Sequence, residues 1–458
     1  STHSPHQSLA LSIHMSDVVD PLDSLPSAIL ADVLGRVADA GDIAASRLAS
    51  RALLAASYQC PRVRLSAAAR ARRLRGRGGG DGATAFRLAA ANVASLLGTH
   101  LRSLALDASQ GHGCPDQAIW AKHAEFDEAN DLHLTSGESV AAWAATAAGL
   151  VLREVDIADF WPQSCWRKAE ALPVISRLCH NLSTLRLRKA WLSVDGLRIM
   201  PNLTHLALES IRLDDENLST LNECFPCLHT LNLIGVGGLK DPKIHLPQLK
   251  NCHWEVSDVP RSLAIHAPNL VYLELKCVRP GILILDTPSV STLKLTIDKL
   301  GPTVQVDGLV NLKNLRIESS DLNSLLRLFS ESRDVRTLDL ELPASAGRSE
   351  LYEAVEPELF SRATEVKLSP RFSYELMRRI VFSMTSYDCR SCLRKLLVHM
   401  PPSILTTCPF IPLVNNCAPS CEVTVLFHAD SSDATRQAAA SSWPLRFPDI
   451  TWQWGTWQ

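Results

Sequence analysis

Along much of the chain, apolar and polar residues alternate in a six-residue frame, LxxLxL, that returns at near-constant intervals. It reads LSTLRL from Leu182, LTHLAL from Leu203, LHTLNL from Leu228, LKNCHW from Leu249, LVYLEL from Leu270, VSTLKL from Val290, LKNLRI from Leu312 and VRTLDL from Val335. Successive starts lie 21, 25, 21, 21, 20, 22 and 23 residues apart. In a strand, alternate side chains point to opposite faces, so positions four and six of each frame turn inward while three, five and seven line an open surface. One such unit cannot bury its apolar edge alone. The pattern therefore predicts units stacked side by side into a parallel sheet with one continuous core.

Weaker copies flank the run: LRSLAL from Leu101, LREVDI from Leu152, ATEVKL from Ala363 and LRKLLV from Leu393. The spacing lies in the range of roughly 20 to 29 residues found in leucine-rich repeats. Short amphipathic stretches such as DGLRIMPN and DENLSTLNECFPC precede the frames and read as the helix or irregular turn behind each strand. Pro and Asn just ahead of the frame, as in MPNL and HAPNL, stop that element and restart the chain as extended structure. The ninth positions are Ala190, Ile211, Val236, Ser257 and Val278, where many leucine-rich families carry Asn or Cys. The repeats are therefore irregular, and uneven curvature is expected.

Ahead of the frames the periodicity changes. Leu22, Leu25, Ile29, Leu30, Val33, Leu34 and Val37 recur at three- and four-residue steps, which predicts a helix beginning near Pro26. Gly41 and Asp42 break it, Asp42 caps a second helix through Ile43 and Leu48, and Leu53 with Leu54 marks a third. RVRLSAAARARRLRGRGGGDGA comes next, read as a basic, Gly-rich linker, and TAFRLAAANVASLLG then returns to helical spacing.

Composition narrows the function classes. The 458 residues are 46% hydrophobic and 21% charged, with 46 Lys and Arg against 48 Asp and Glu, a net charge of −2. Such a chain buries a large core and has no global polyelectrolyte character for nucleic acid or membrane surfaces. The longest apolar stretch, VAAWAATAAGLVL from Val140 to Leu152, falls short of the roughly 20 residues of a membrane span. The opening STHSPHQSLALSIH lacks the basic start and apolar core of a secretory signal, and Met15 reads as a better natural start. Thirteen scattered Cys, an odd number, point to reduced thiols in the cytosol or nucleus.

The helical segment DPLDSLPSAILADVLGRVADAGDIAASRLASRALLAAS resembles an F-box. Leu25-Pro26, Ile29-Leu30, Val33-Leu34, Val37, Asp42, Leu48 and Ser50-Arg51 carry the likeness. It departs in the third helix, where Leu53 or Leu54 replaces the usual Trp. Followed by leucine-rich repeats, the segment is similar to the plant F-box/LRR-repeat proteins. SVAAWAATAAGLVLREVDI resembles their Trp-bearing helix ahead of a strand, and LAIHAPNLVYLEL resembles their APNL-type repeats. The resemblance implies an α/β chain, a three-helix F-box before an irregular leucine-rich-repeat solenoid with a parallel sheet on its concave face. The expected division is a disordered extension over 1–19, the F-box over 20–65, the linker over 66–84, the solenoid over 85–430 and a cap over 431–458. It further implies a non-catalytic, substrate-recognition subunit of an SCF-type cullin–RING ubiquitin ligase, with the F-box docking a Skp-type adaptor and cullin and the repeats holding an unknown target protein. No membrane or nucleic acid partner and no cofactor or metal is expected.

An exposed apolar face on a small helical unit is a partner site in its own right. Leu25, Pro26, Ile29, Leu30, Val33, Leu34 and Leu48 are the candidate adaptor contacts, against the bland alternative that they form the helices' internal core. The fifth frame positions, Arg186, Ala207, Asn232, His253, Glu274, Lys294, Arg316 and Asp339, form the candidate substrate wall. Its signs alternate, which suits protein recognition, although a solvated sheet face carries the same pattern. The alternative function is a non-ligase repeat scaffold or small-molecule-sensing receptor whose helices only cap the array.

Catalytic motifs are absent from the sequence: there is no GxSxG elbow, HExxH helix or Walker loop, and GRGGGDG lacks the following Lys-Ser or Lys-Thr. Cys389, Cys392, Cys417 and Cys421 are the one set near enough in sequence for zinc, but Cys227 and Cys392 sit where a repeat buries a small residue, and free buried thiols are the simpler reading. Trp452 and Trp454 alternate with Thr451 and Gln453 at strand period and are read as covering the last open edge, with a ligand-binding aromatic wall as the sharper alternative.

Overall fold

A computed structural model describes residues 21–75, 86–110, 132–298, 301, 303–307, 309–329, 332, 334–342, 363–368, 393–400, 414–415 and 417–457. Fifteen strands, from Arg62–Ser66 to Thr451–Trp457, hydrogen-bond side by side in one parallel sheet. Every LxxLxL frame is one of them, the weaker copies included: Ser103–Asp107, Glu154–Ala158, Glu365–Leu368 and Lys395–Met400. Register follows the frame. Leu185 pairs with Leu206, Leu206 with Leu231 and Leu231 with Cys252, fourth position against fourth. A slip by one residue would turn each apolar pair to solvent, so burial of one face specifies the stacking. Leu185, Leu187, Leu208 and Leu233 are all completely buried.

The Asn just ahead of the frame also links repeats. The side-chain amides of Asn181, Asn202, Asn269 and Asn311 donate to the carbonyls of Leu150, His180, Pro247 and Pro288 of the preceding repeat, at 2.6, 2.9, 2.8 and 3.0 Å. With these rungs on the strand-start side, the ninth position has no need of an Asn. Ala190, Ile211 and Val236 are buried there instead, while Ser257 and Val278 are exposed.

What lies behind the strands depends on repeat length. The 25-residue interval from Leu203 to Leu228 holds the helix Asp215–Cys224, whose N-cap Asp214 accepts from Asn217 N at 2.8 Å. The shorter central repeats carry a second parallel sheet, Lys243–His245, Ser262–His266, Ile282–Asp286 and Thr303–Asp307, where a helix or irregular turn was expected. A strand covers about twice the length of a helix per residue, so a short repeat reaches the back layer only as extended chain. At one turn into this layer, Gly238 has φ +92° and lies so close to Leu213 O that a Cβ would meet it at 2.2 Å.

The N-terminal helices are α1 (Ser27–Val37), α2 (Ala40–Ala49) and α3 (Arg51–Ser57). The break after α1 falls at Ala38, with φ 57°, and Asp39 rather than Asp42 caps α2 by accepting from Gly41 N and Asp42 N. Gly41 and Asp42 lie inside the first turn. Ser50 caps α3. The expected linker over 66–84 is structured through residue 75: Ala67–Arg75 is helical, and the sheet begins at Arg62, inside the segment assigned to the helical unit. Buried Val63 and Leu65 alternate with exposed Arg62 and Arg64, so the strand period was present beneath the arginine run. Arg64 N donates to Ala38 O at 2.7 Å, and Leu30, Leu34 and Ile43 share one core with Val63 and the repeats. The 1–19 extension and the GRGGGDG run over 76–82 lie outside the described residues.

At the other end, the segment from 431 is one more helix–strand unit. Helix Asp433–Arg446 leads to Thr451–Trp457, which pairs with Glu422–His428. Among the described residues no helix is long and apolar enough to cross a membrane.

Candidate interaction surfaces

On α1, two apolar stripes diverge. Leu25, Ile29, Val33 and Val37, four residues apart, are 42, 51, 48 and 46% exposed, with the exposed Pro26 at their head. Leu30 and Leu34 are 2% exposed and lie in the core. Of the candidate adaptor contacts, Leu30 and Leu34 are thus spent on packing against the rest of the molecule, while Leu25, Pro26, Ile29 and Val33 form the open face. Leu48 on α2 is 87% exposed. Two apolar side chains that sequence spacing did not select, Leu54 on α3 and Tyr58 at its end, are exposed as well. Arg47 lies over the Tyr58 ring at 4.9 Å and donates to its hydroxyl at 3.0 Å.

The fifth frame positions form one ladder on the outward side of the main sheet. Arg186 faces Ala207, then Asn232, His253, Glu274, Lys294, Arg316 and Asp339 follow strand by strand. The row also runs beyond the eight positions expected, to Asp156 before Arg186 and Lys367 after Asp339. Most of its charges are paired within the face. Asp156 lies 3.6 Å from Arg186 and 2.9 Å from Arg188, Lys294 lies 3.3 Å from Glu274, and Arg316 lies 2.7 Å from Glu341. Asp339 lies 3.1 Å from Lys367. Burial opposes ionisation of Glu274, but the Tyr272 hydroxyl donating to it and the Lys294 ammonium outweigh that and hold its carboxyl below the usual value. Among the described residues, Asn232 and His253 make no side-chain hydrogen bond or ion pair, which leaves the middle of the row open to a partner.

No family model matches the chain. An F-box/LRR-repeat protein of Arabidopsis thaliana is 34% identical over 454 residues, which cover 95% of this chain and 98% of that protein. The chain belongs to the F-box/LRR-repeat protein family.

Three further features of this F-box/LRR-repeat protein bear on chemistry. Asp159 is completely buried where its strand leaves the sheet, and its carboxylate accepts from Leu134 N, Thr135 N and Phe160 N at 2.9, 2.9 and 2.8 Å and from the Thr135 hydroxyl. Burial nonetheless pushes its carboxyl up to about 6. No group of three His, Cys, Asp or Glu among the described residues is arranged to hold a metal. Cys389 and Cys392 lie outside those residues. The thiols of Cys417 and Cys421 hydrogen-bond to each other, which raises Cys417 and lowers Cys421, while burial pushes those of Cys179, Cys252 and Cys277 up to about 12. At the C-terminal end, Trp452 and Trp454 stack at 5.4 Å and an interplanar angle of 5°, and Trp443 from the last helix packs 5.8 and 5.7 Å from them. Trp454 and Phe427 also wall an open cleft of about 450 Å³ beside Arg436 and Gln437.

Proposed function

We propose that this F-box/LRR-repeat protein is the substrate-recognition subunit of an SCF-type cullin–RING ubiquitin ligase. Helices α1–α3 are the F-box and dock a Skp-type adaptor through Leu25, Pro26, Ile29, Val33 and Leu48, and the outward wall of the main sheet holds the target. The observation that carries this reading is the open apolar stripe on α1. A contiguous exposed apolar face on a small unit marks an interaction site, and the sheet to which this unit is fused has its own polar face on another side.

The mechanism is positional. Because α1–α3 and the first strand share a core and the Arg64–Ala38 hydrogen bond, adaptor and target are carried by one continuous body. Holding a target beside a charged conjugating enzyme raises the effective concentration of its lysines, a proximity effect that requires no catalytic side chain here. Co-expression with a Skp-type adaptor and cullin tests the assignment. The parent should co-purify with both, and the Leu25→Ala, Pro26→Ala double variant should lose them while keeping its thermal unfolding midpoint. Equal recovery with both proteins would falsify the interface. A non-ligase scaffold would leave the adaptor unbound in either form.

A further inference from the structure

The second position of each frame lies at the strand-start edge of the wall, one residue outside the alternating pattern. Its backbone holds it in a row. Arg153 N donates to Arg102 O at 2.8 Å, Lys250 N to His229 O at 2.9 Å, Arg336 N to Lys313 O at 2.7 Å, and Arg394 N to Thr364 O at 2.8 Å, second position to second position of the preceding repeat. Six of the residues so aligned are cations: Arg102, Arg153, Lys250, Lys313, Arg336 and Arg394. All six are exposed, and no acidic residue occupies this position in any repeat from Leu101 to Leu393. Among the described residues none of the six is in an ion pair, whereas the fifth-position charges of the same wall are largely neutralised by one another.

Toward its C-terminal end the wall is polarised across its width. Its strand-end edge, the seventh position, carries Glu318 and Glu341 in the repeats whose strand-start edge carries Lys313 and Arg336. Neighbouring strands lie about 4.8 Å apart, so Lys313, Arg336 and Arg394 fall within about 14 Å and the full row spans about 50 Å, the length of about 16 extended residues. Unpaired like charges at this density attract an anion that follows the row, and beside the dense end Glu318 and Glu341 on the opposite edge disfavour its spreading over the wall.

We propose that this edge is a docking track for an extended acidic peptide segment of a protein partner. The proposal rests on reading the repeats as the target-binding part and names the chemistry of what they hold. A peptide is favoured over a nucleic acid because the third positions beside the dense end, Asn314, Thr337, Glu365 and Lys395, offer no aromatic ring for base stacking.

The test uses the full chain and two fluorescein-labelled 16-residue peptides, one alternating Glu and Ser, the other Lys and Ser, read by anisotropy at 50 and 300 mM salt. The Glu peptide should bind at low salt, weaken on raising salt, and lose at least tenfold in affinity in the Lys313→Glu, Arg336→Glu, Arg394→Glu variant. Lys313→Arg with Arg336→Lys, which keeps the charge, should retain binding and so separates charge from any folding defect. The proposal is overturned if the Lys peptide binds as well, if the triple reversal has no effect, or if a 16-nucleotide oligothymidine displaces the Glu peptide at equal concentration. Adaptor co-purification is read separately. A parent protein that captures adaptor but does not bind the Glu peptide overturns the track alone, and one that binds the peptide but captures no adaptor overturns the ligase assignment alone.

Discussion

At the scale of single residues, the segment 132–135 joins two buried groups whose titrations oppose each other, His133 within it and Asp159 bonded to its backbone. The Asp159 carboxyl, pushed up to about 6 from 3.8 by burial despite its four donors, binds its proton more tightly folded than unfolded. Its contribution is full below about pH 4 and is lost as pH rises through about 6, roughly 3 kcal/mol by linkage. His133, almost fully buried, is pushed down to about 4 from 6.5 by burial and by the charges of Arg167 and Arg87. Its contribution runs the other way, present above about pH 6.5 and lost as pH falls through about 4, again roughly 3 kcal/mol. In the parent the two nearly cancel between pH 4 and 6.5. Asp159→Asn removes one side, so its stability relative to the parent should fall progressively from pH 6.5 to 4.5. Urea unfolding followed by tryptophan fluorescence at three pH values checks this, and parallel pH profiles for the two proteins would show that Asp159 does not titrate in this range.

At the scale of elements, α1 shows where local pattern stops being informative. Period 3.6 marks both of its stripes as apolar, but which stripe is covered is decided by chain far away in sequence, from α3 and the strand at Arg62–Ser66. Leu30 and Leu34 were therefore indistinguishable from Ile29 and Val33 by spacing. Frames of period two were legible for the opposite reason: strand alternation and burial are read from the same few residues, so LREVDI and ATEVKL announced strands despite lacking full leucine sets. The back-layer strands SLAIH and ILILD were legible too in their β-branched and alternating residues, but the repeat template assigned that position to helix or turn. The interaction surfaces divide similarly. The fifth-position row was found because the frame defines it, whereas the cationic edge lies one step outside the frame. The α1 division has a measurable consequence. Leu30→Ala should cost about 2–5 kcal/mol of unfolding free energy as a buried truncation, while Ile29→Ala should stay within about 0.5 kcal/mol of the parent. Adaptor capture should rank them in reverse, with Ile29→Ala impaired although fully folded. A folded Ile29→Ala protein that captures adaptor normally removes this residue from the interface.

At the scale of the whole molecule, a stacked array has two ends whose core must be closed, and each repeat is stabilised chiefly by its neighbours. The first strand is closed by α1–α3. At the far end, Glu422–His428 without the last helix and strand would present an unpaired edge and an open inner face. Thr451–Trp457 pairs with that edge, placing Trp452 against Val423 and Trp454 against Val425 in register, and the last helix adds Trp443 to the aromatic stack. Val423 and Val425 are completely buried as a result, and Phe427 is 5% exposed. Ending the chain after residue 430 should therefore do more than remove one unit. It should expose these apolar side chains together with a full strand edge, a combination that templates association between chains. The shortened protein should bind a hydrophobic dye that the parent excludes, sediment as higher oligomers at micromolar concentration, and unfold at a lower temperature. If it remains monomeric with an unchanged unfolding midpoint, the terminal helix and strand are an appendage, and the array is closed at Glu422–His428 by its own side chains.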